Sequence, residues 1–244
     1  MNEVKIYLSD RESELKIHLA LLDILTERSK EAPTDKQTKR VNTSQLAILK
    51  STILVHLYNI VEAVFARLLK STASKAYQHH PKDYSEGLFN EWIAWNVKVT
   101  PEINIDRLRK TVAEVGEALR SEDDWLEFEI QKSGGNWSEI NIIELSTKLG
   151  VTIDLEPSFK ENLFKAYYNG LTQMGYIKLR RNDLAHGNMT FEEGAEGKTI
   201  QDLVELRDTV IEFMHIVVDA YTDFITNGEY LRQYQDVEPN LENA

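Results

Sequence analysis

Apolar side chains recur every three or four positions through most of this chain, and that spacing predicts helices. Leu15, Leu19, Leu22 and either Ile24 or Leu25 mark a first helix over residues 11–30. The polar stretch 29–42, with Pro33 inside it, reads as a loop. Thr43 or Ser44 suits the cap of the next helix. Its stripe runs Leu46, Leu49, Ile53, Leu57, Ile60, Val64 and Leu68. A helix beginning at Pro157 carries Phe159, Leu163, Ala166, Tyr167, Leu171, Met174 and Ile177, and leads straight into Leu179-Arg180-Arg181-Asn182-Asp183-Leu184-Ala185-His186-Gly187. Residues 187–197 are turn-rich. Thr199 and Asp202 form a capping pair for a last long helix, with Ile200, Leu203, Val210, Met214, Val217, Tyr221 and Phe224 on its apolar face.

The pattern is least regular between about 73 and 157. Leu88–Trp95 fits a short helix and Ile105–Leu119 a longer one, whereas Ser133-Gly134-Gly135-Asn136 is a turn. Residues 149–155 alternate apolar and polar, as a short strand or extended segment does. No repeat or low-complexity linker divides the chain. The expectation is an all-α class: one helical domain over 1–244, built on long antiparallel helices, with a less regular insertion and an acidic tail, 229–244, fraying at its end.

Composition narrows the chemistry. Without a cysteine, disulfides, thiolate catalysis and cysteine-ligated metals are excluded. The acids at Asp123, Asp124, Glu127 and Glu129 match no defined ligand spacing, so neither metal nor cofactor is expected. The N-terminal ten residues have no apolar core, unlike a secretory signal. The run Ile53–Leu69 is interrupted by His56, Asn59, Glu62 and Arg67, which argues against a bilayer span and for a cytoplasmic protein. A net charge of −12 argues against a protein that coats nucleic acid, because phosphate binding depends on lysine and arginine. One local basic site remains compatible with it, near Lys178, Arg180 and Arg181, with Arg107, Arg109 and Lys110 as further contributors.

The segment 179–187 is the one stretch with evident chemistry. A guanidinium can stabilise charge on a phosphate, and an imidazole, with an ordinary pKa of about 6.5, can move the proton of a ribose 2′-hydroxyl. In a continuous helix, residues five apart lie about 140° apart around the axis. Either the helix ends inside the segment or two copies of it supply one site. Spacing alone favours a plainer reading, in which Arg181 pairs with a carboxylate and His186 is a polar helix-end residue. Glu62, three residues from Asn59 on the same helix face, is a candidate partner for Arg181 or simply a solvated acid. His79-His80 reads as a loop pair. His18, His56 and His215 read as packing residues, and most of Trp92, Trp95, Trp125 and Trp137 as core or subunit packing rather than platforms that stack on bases.

Arg181, Asn182 and His186, within Leu179 to Asn188, resemble the signature of the HEPN superfamily: an arginine, a polar residue, three more positions, then histidine. Tyr58-Asn59-Ile60-Val61-Glu62-Ala63, Asn188-Met189-Thr190-Phe191 and the long last helix are similar to a bacterial HEPN-like nuclease family associated with restriction and defence loci. The likeness runs from about residue 44 to 230. It implies a compact helical bundle that cleaves RNA without metal, as a toxin or effector in antiviral defence or a toxin–antitoxin system. Arg181, His186 and Asn182 would be the catalytic residues. Glu62 and Asn59 would support them, and Arg180 and Lys178 would bind substrate. It also implies a homodimer with a composite site, since one chain offers one such histidine, and makes an antitoxin or defence-system protein a candidate partner. The chain lacks the tyrosine after the histidine that marks HEPN toxins silenced by a nucleotidyltransferase, so that route of regulation is not expected. The alternative is a non-catalytic HEPN-like module that binds nucleotide, RNA or a partner protein.

Overall fold

The computed structural model describes residues 1–30, 41–97, 104–122, 125–130 and 136–232, and in them the chain forms eight α-helices and no strand ladder. The helices are α1 (Asn2–Lys30), α2 (Thr43–Ala76), α3 (Glu86–Val97), α4 (Ile105–Ala118), α5 (Glu139–Leu149), α6 (Pro157–Phe164), α7 (Gln173–Ala185) and α8 (Ile200–Thr226), with a 3-10 turn at Pro81–Asp83. The all-α class predicted from periodicity is what the structure contains.

α2 is the axis of the bundle. Its buried positions, Ile53, Leu54, Leu57, Ile60, Val61, Val64, Phe65 and Leu68, wrap most of its circumference. A helix needs that breadth when it is covered on several sides, here by α1, α7 and α8. On length and composition α2 would also suit a membrane span, but over half of its most apolar window is buried in the bundle. Core packing accounts for its hydropathy.

Several boundaries differ from the sequence reading, each for an identifiable reason. α1 starts at Asn2 rather than near residue 11, because Val4 and Leu8 extend its buried stripe. Asn42, not Thr43 or Ser44, caps α2: its side chain accepts from the Gln45 amide at 2.7 Å, and Gln45 reciprocates at 2.9 Å. The helix expected from Pro157 through Ile177 is two helices. Asn169 (φ 48°) and Gly170 (φ 79°) form a tight turn bridging Tyr168 and Leu171. Asn-Gly tolerates positive φ at both central positions, and this local preference overrides the apolar period. Thr172 then caps α7 by accepting from the Gly175 amide.

The middle of the chain carries more helix than its pattern announced. α3 and α4 lie where expected. α5 occupies a stretch left unassigned, although Ser138 caps it and Gly150 (φ 88°) ends it. Residues 151–156 form neither helix nor strand, so the alternation at 149–155 does not produce a strand. Trp92, Trp137, Ile142 and Leu149 from this region join the same apolar cluster as α2 and α8. The proposed turn at 133–136 lies outside the described residues except for Asn136, as does the tail beyond Arg232. Before that point the chain is pinned, with Arg232 donating to the Asp83 carbonyl and Ser85 to that of Tyr230. Thr199 and Asp202 form the capping box of α8 as read.

Candidate functional site

α7 presents the signature residues, and its end is defined by hydrogen bonding. Gly187 (φ 72°) turns the backbone left-handed, the Asn188 amide donates to the Asp183 carbonyl at 2.9 Å, and the Gly187 amide donates to that of Leu184. This paired pattern is a Schellman termination. His186 is the cap residue, its backbone N–H bonded to Asn182 and its imidazole exposed. The helix therefore runs through the whole segment and stops just before the histidine. Arg181 and His186 are separated by about 140° around the axis and about 7.5 Å along it.

Arg181 points inward to α2. Its Nη2 donates to Glu62 Oε2 at 2.5 Å and its Nη1 to Asn182 Oδ1 at 3.0 Å. Its guanidinium carbon stands 4.4 Å from the centre of the Tyr58 ring. Tyr58 and Glu62, four apart on α2, share the face that α7 covers. Burial pushes the Tyr58 phenol up, and its oxygen accepts from the Trp137 amide at 2.9 Å. Among the described residues, two of Arg181's five N–H groups are engaged.

Asn182 links two sides of this arrangement. While its oxygen accepts from Arg181, its Nδ2 donates to Asn136 Oδ1 at 3.0 Å. Asn136 and Trp137 belong to the connection that leads into α5. Trp137 is buried with its ring 4.6 Å from that of Phe65 on α2. The sequence pattern puts Asn136 in a turn and favours packing for Trp137, and nothing in it links either residue to the motif. No local pattern encodes it, because the partners are 46 and 79 positions away.

The structure separates the remaining candidates. Lys178, a turn before Asn182, lies half-buried on the face that carries Arg181 and Asn182. Asn59 is exposed on α2. Arg180, a candidate for binding substrate, is turned into the fold instead. It is only 9% exposed, lies 5.1 Å and 5.2 Å from the Tyr168 and Tyr176 rings, and donates to Met189 Sδ at 3.2 Å. The hundred-degree step between neighbours on a helix sends adjacent arginines to different surroundings. Arg107, Arg109 and Lys110 sit exposed on α4, whose main helix contact is with α3.

The other histidines follow their helices. His18 and His56 are half-buried between α1 and α2, ring centres 6.2 Å apart. His215 is not a packing residue: it is exposed and pairs with Glu12 at 3.1 Å. His80 accepts from the Lys82 amide and so caps the 3-10 turn, as suits a loop pair before proline. Trp92 and Trp137 are core, whereas Trp95 and Trp125 are half-buried. Among the described residues no three histidine or acidic side chains gather as metal ligands do.

A family model of HEPN domains, the MAE_28990-like group, matches residues 5–230. No curated protein and no solved structure matches the chain. The match extends beyond the motif through α1, α2 and the whole middle region, so α5 and the Asn136–Trp137 connection lie within the family unit. With nearly its full length covered, the chain belongs to the MAE_28990-like HEPN family.

Proposed function

We propose that this protein is an endoribonuclease of HEPN type that cleaves RNA through its own 2′-hydroxyl, without metal, as a homodimer. The observation that carries the reading is the division of labour on α7. Arg181 is held inward by Glu62, Asn182 and Tyr58, and His186 stands free at the helix end. One chain thus offers an oriented cation and an exposed imidazole on different sides of a helix. A second copy approaching the end of α7 would complete the constellation.

In this mechanism Arg181 grips the scissile phosphate and stabilises the charge that grows on it. The His186 imidazole takes the 2′-hydroxyl proton, the 2′-oxygen attacks phosphorus, and the bond to the 5′-oxygen breaks. His186 of the partner subunit gives a proton to that leaving oxygen. The products are a 2′,3′-cyclic phosphate and a 5′-hydroxyl, so no water or redox partner is consumed. Asn182 holds the Arg181 guanidinium in plane, and Lys178 adds positive charge on the same face. The likeness to nucleases of defence loci supports a role as toxin or effector in the cytoplasm, with an antitoxin or defence protein as partner.

Cleavage of RNA in chelator, followed with the parent, Arg181→Ala and His186→Ala proteins, tests this. Loss of cleavage in both variants is expected, and undiminished cleavage in either overturns the assignment. The net charge of −12, together with the neutralising Glu62 beside Arg181, favours one other reading: a non-catalytic module that binds RNA, nucleotide or protein. That reading requires loss of binding in Arg181→Ala and no cleavage by the parent.

A further inference from the structure

We infer that Asn136 is a positioning residue for the phosphate-binding arginine, and that the connection into α5 is a working part of the site. The inference rests on the ribonuclease reading and adds a residue to it. Asn136 and Trp137 close a circuit around Arg181. Asn136 Oδ1 accepts from Asn182 Nδ2 at 3.0 Å, and Asn182 Oδ1 accepts from Arg181 Nη1 at 3.0 Å. The guanidinium lies over the Tyr58 ring, and the Tyr58 hydroxyl returns to the chain by accepting from the Trp137 amide at 2.9 Å.

The two ends of the circuit differ physically. Trp137 is buried at 1% exposure against Phe65, so its peptide is anchored in the core. Asn136, the next residue, is exposed and adopts its place by that anchoring. An amide can be turned either way. By taking the Asn182 N–H₂ as donor, Asn136 commits the other end of that amide, its carbonyl oxygen, to Arg181. Without Asn136 the Asn182 amide is free to rotate its nitrogen to the guanidinium, where two donors would oppose each other. Glu62 and the Tyr58 ring would remain, and the guanidinium could pivot over that ring about its one remaining hydrogen bond. A misplacement of about 1 Å in a group that stabilises transition-state charge can cost on the order of a hundredfold. Asn136 acts through a second amide, so a loss of about tenfold is the proper scale.

The test is a double-mutant cycle of Asn136→Ala and Asn182→Ala, with cleavage rates and affinity for a 2′-O-methyl RNA oligomer measured on all four proteins. Each single variant should lower kcat about tenfold and weaken KM and oligomer affinity by a smaller factor, about threefold, and the double variant should be no worse than the worse single in either measure. A merely structural role would lower melting temperature and leave the two effects multiplying. Multiplying losses, or an Asn136→Ala protein equal to the parent, overturn the inference. If the parent cleaves no RNA, the ribonuclease reading falls and the oligomer affinities decide: coupled losses of binding sustain the role of Asn136. Additive losses, unchanged affinity, or no binding by any of the four proteins overturn it.

Discussion

Arg181 on α7 is bound to Glu62 on α2, Nη2 to Oε2, at 2.5 Å, across 119 positions of sequence. The carboxylate fixes the guanidinium and also stands where it repels a phosphate. Both effects disappear with the carboxylate, and they act on different constants. Glu62→Ala should bind RNA more tightly, with KM lowered, while kcat falls about tenfold as the arginine loses its orientation. Glu62→Gln keeps an acceptor and should lose less of kcat. Steady-state cleavage of a short RNA separates these, and a Glu62→Ala protein with parental kcat would contradict the positioning role. The pair is partly exposed, so its loss should cost stability only about 1 kcal/mol or less.

Two adjacent arginines should behave as opposites. Arg180 is a buried cation that forms no ion pair among the described residues, its Nε unpartnered there, and replacing a buried charge by an apolar chain of similar volume is often neutral or stabilising. Arg180→Met should melt within a few degrees of the parent and cleave RNA as well as it does. Arg181→Met should fold equally well and cleave nothing. RNA affinity lost in Arg180→Met would return that residue to the substrate site.

How much of this was legible in the sequence depends on the range of the interaction. The stripes of α2 and α8 were readable because each is a local repeat facing one core, and the signature was readable because it lies within one turn and a half of helix. The break at Asn169-Gly170 was also locally encoded, and periodicity masked it. Glu62 could be suspected from its helix face. Asn136 and Trp137 could not, since their tie to the motif exists only after the middle of the chain folds back on α2.

Gly187 supplies the left-handed residue that ends α7 beside His186. Gly187→Ala should cost about 1 kcal/mol, whereas Gly187→Asn should cost less, because asparagine adopts that conformation more readily. Chemical denaturation of the three proteins checks the order. Equal stability of alanine and glycine there would mean the termination is not needed.

Stability should begin to fall as the pH drops below about 6.5. Burial lowers the His18 pKa, helped by the nearby charge of His56. Burial lowers that of His56 as well, with Arg11 in the same sense and Glu14 opposing. Both start from an ordinary value of 6.5. The unfolded chain therefore takes up protons first, so the stability from the neutral pair is present above that value and is lost as pH falls through the folded pKa values. Glu12 and Asp202, lowered by hydrogen bonds to Lys16 and to the Thr199 backbone amide respectively, lose their contributions only in a more acid range. Melting curves between pH 7 and 5 should show a drop that His18→Gln reduces, and an unchanged drop in that variant would place the cause elsewhere.

In the proposed mechanism one chain carries half a catalytic centre. Mixing the parent with an equal amount of an Arg181→Ala/His186→Ala chain, after full subunit exchange, measures this directly. If two chains build one site, only parent homodimers cleave, and total activity should fall to about one half of that of the same parent alone, following the square of the parent fraction. If each chain carries its own complete site, activity per parent chain stays constant at every ratio, and that result would contradict the account.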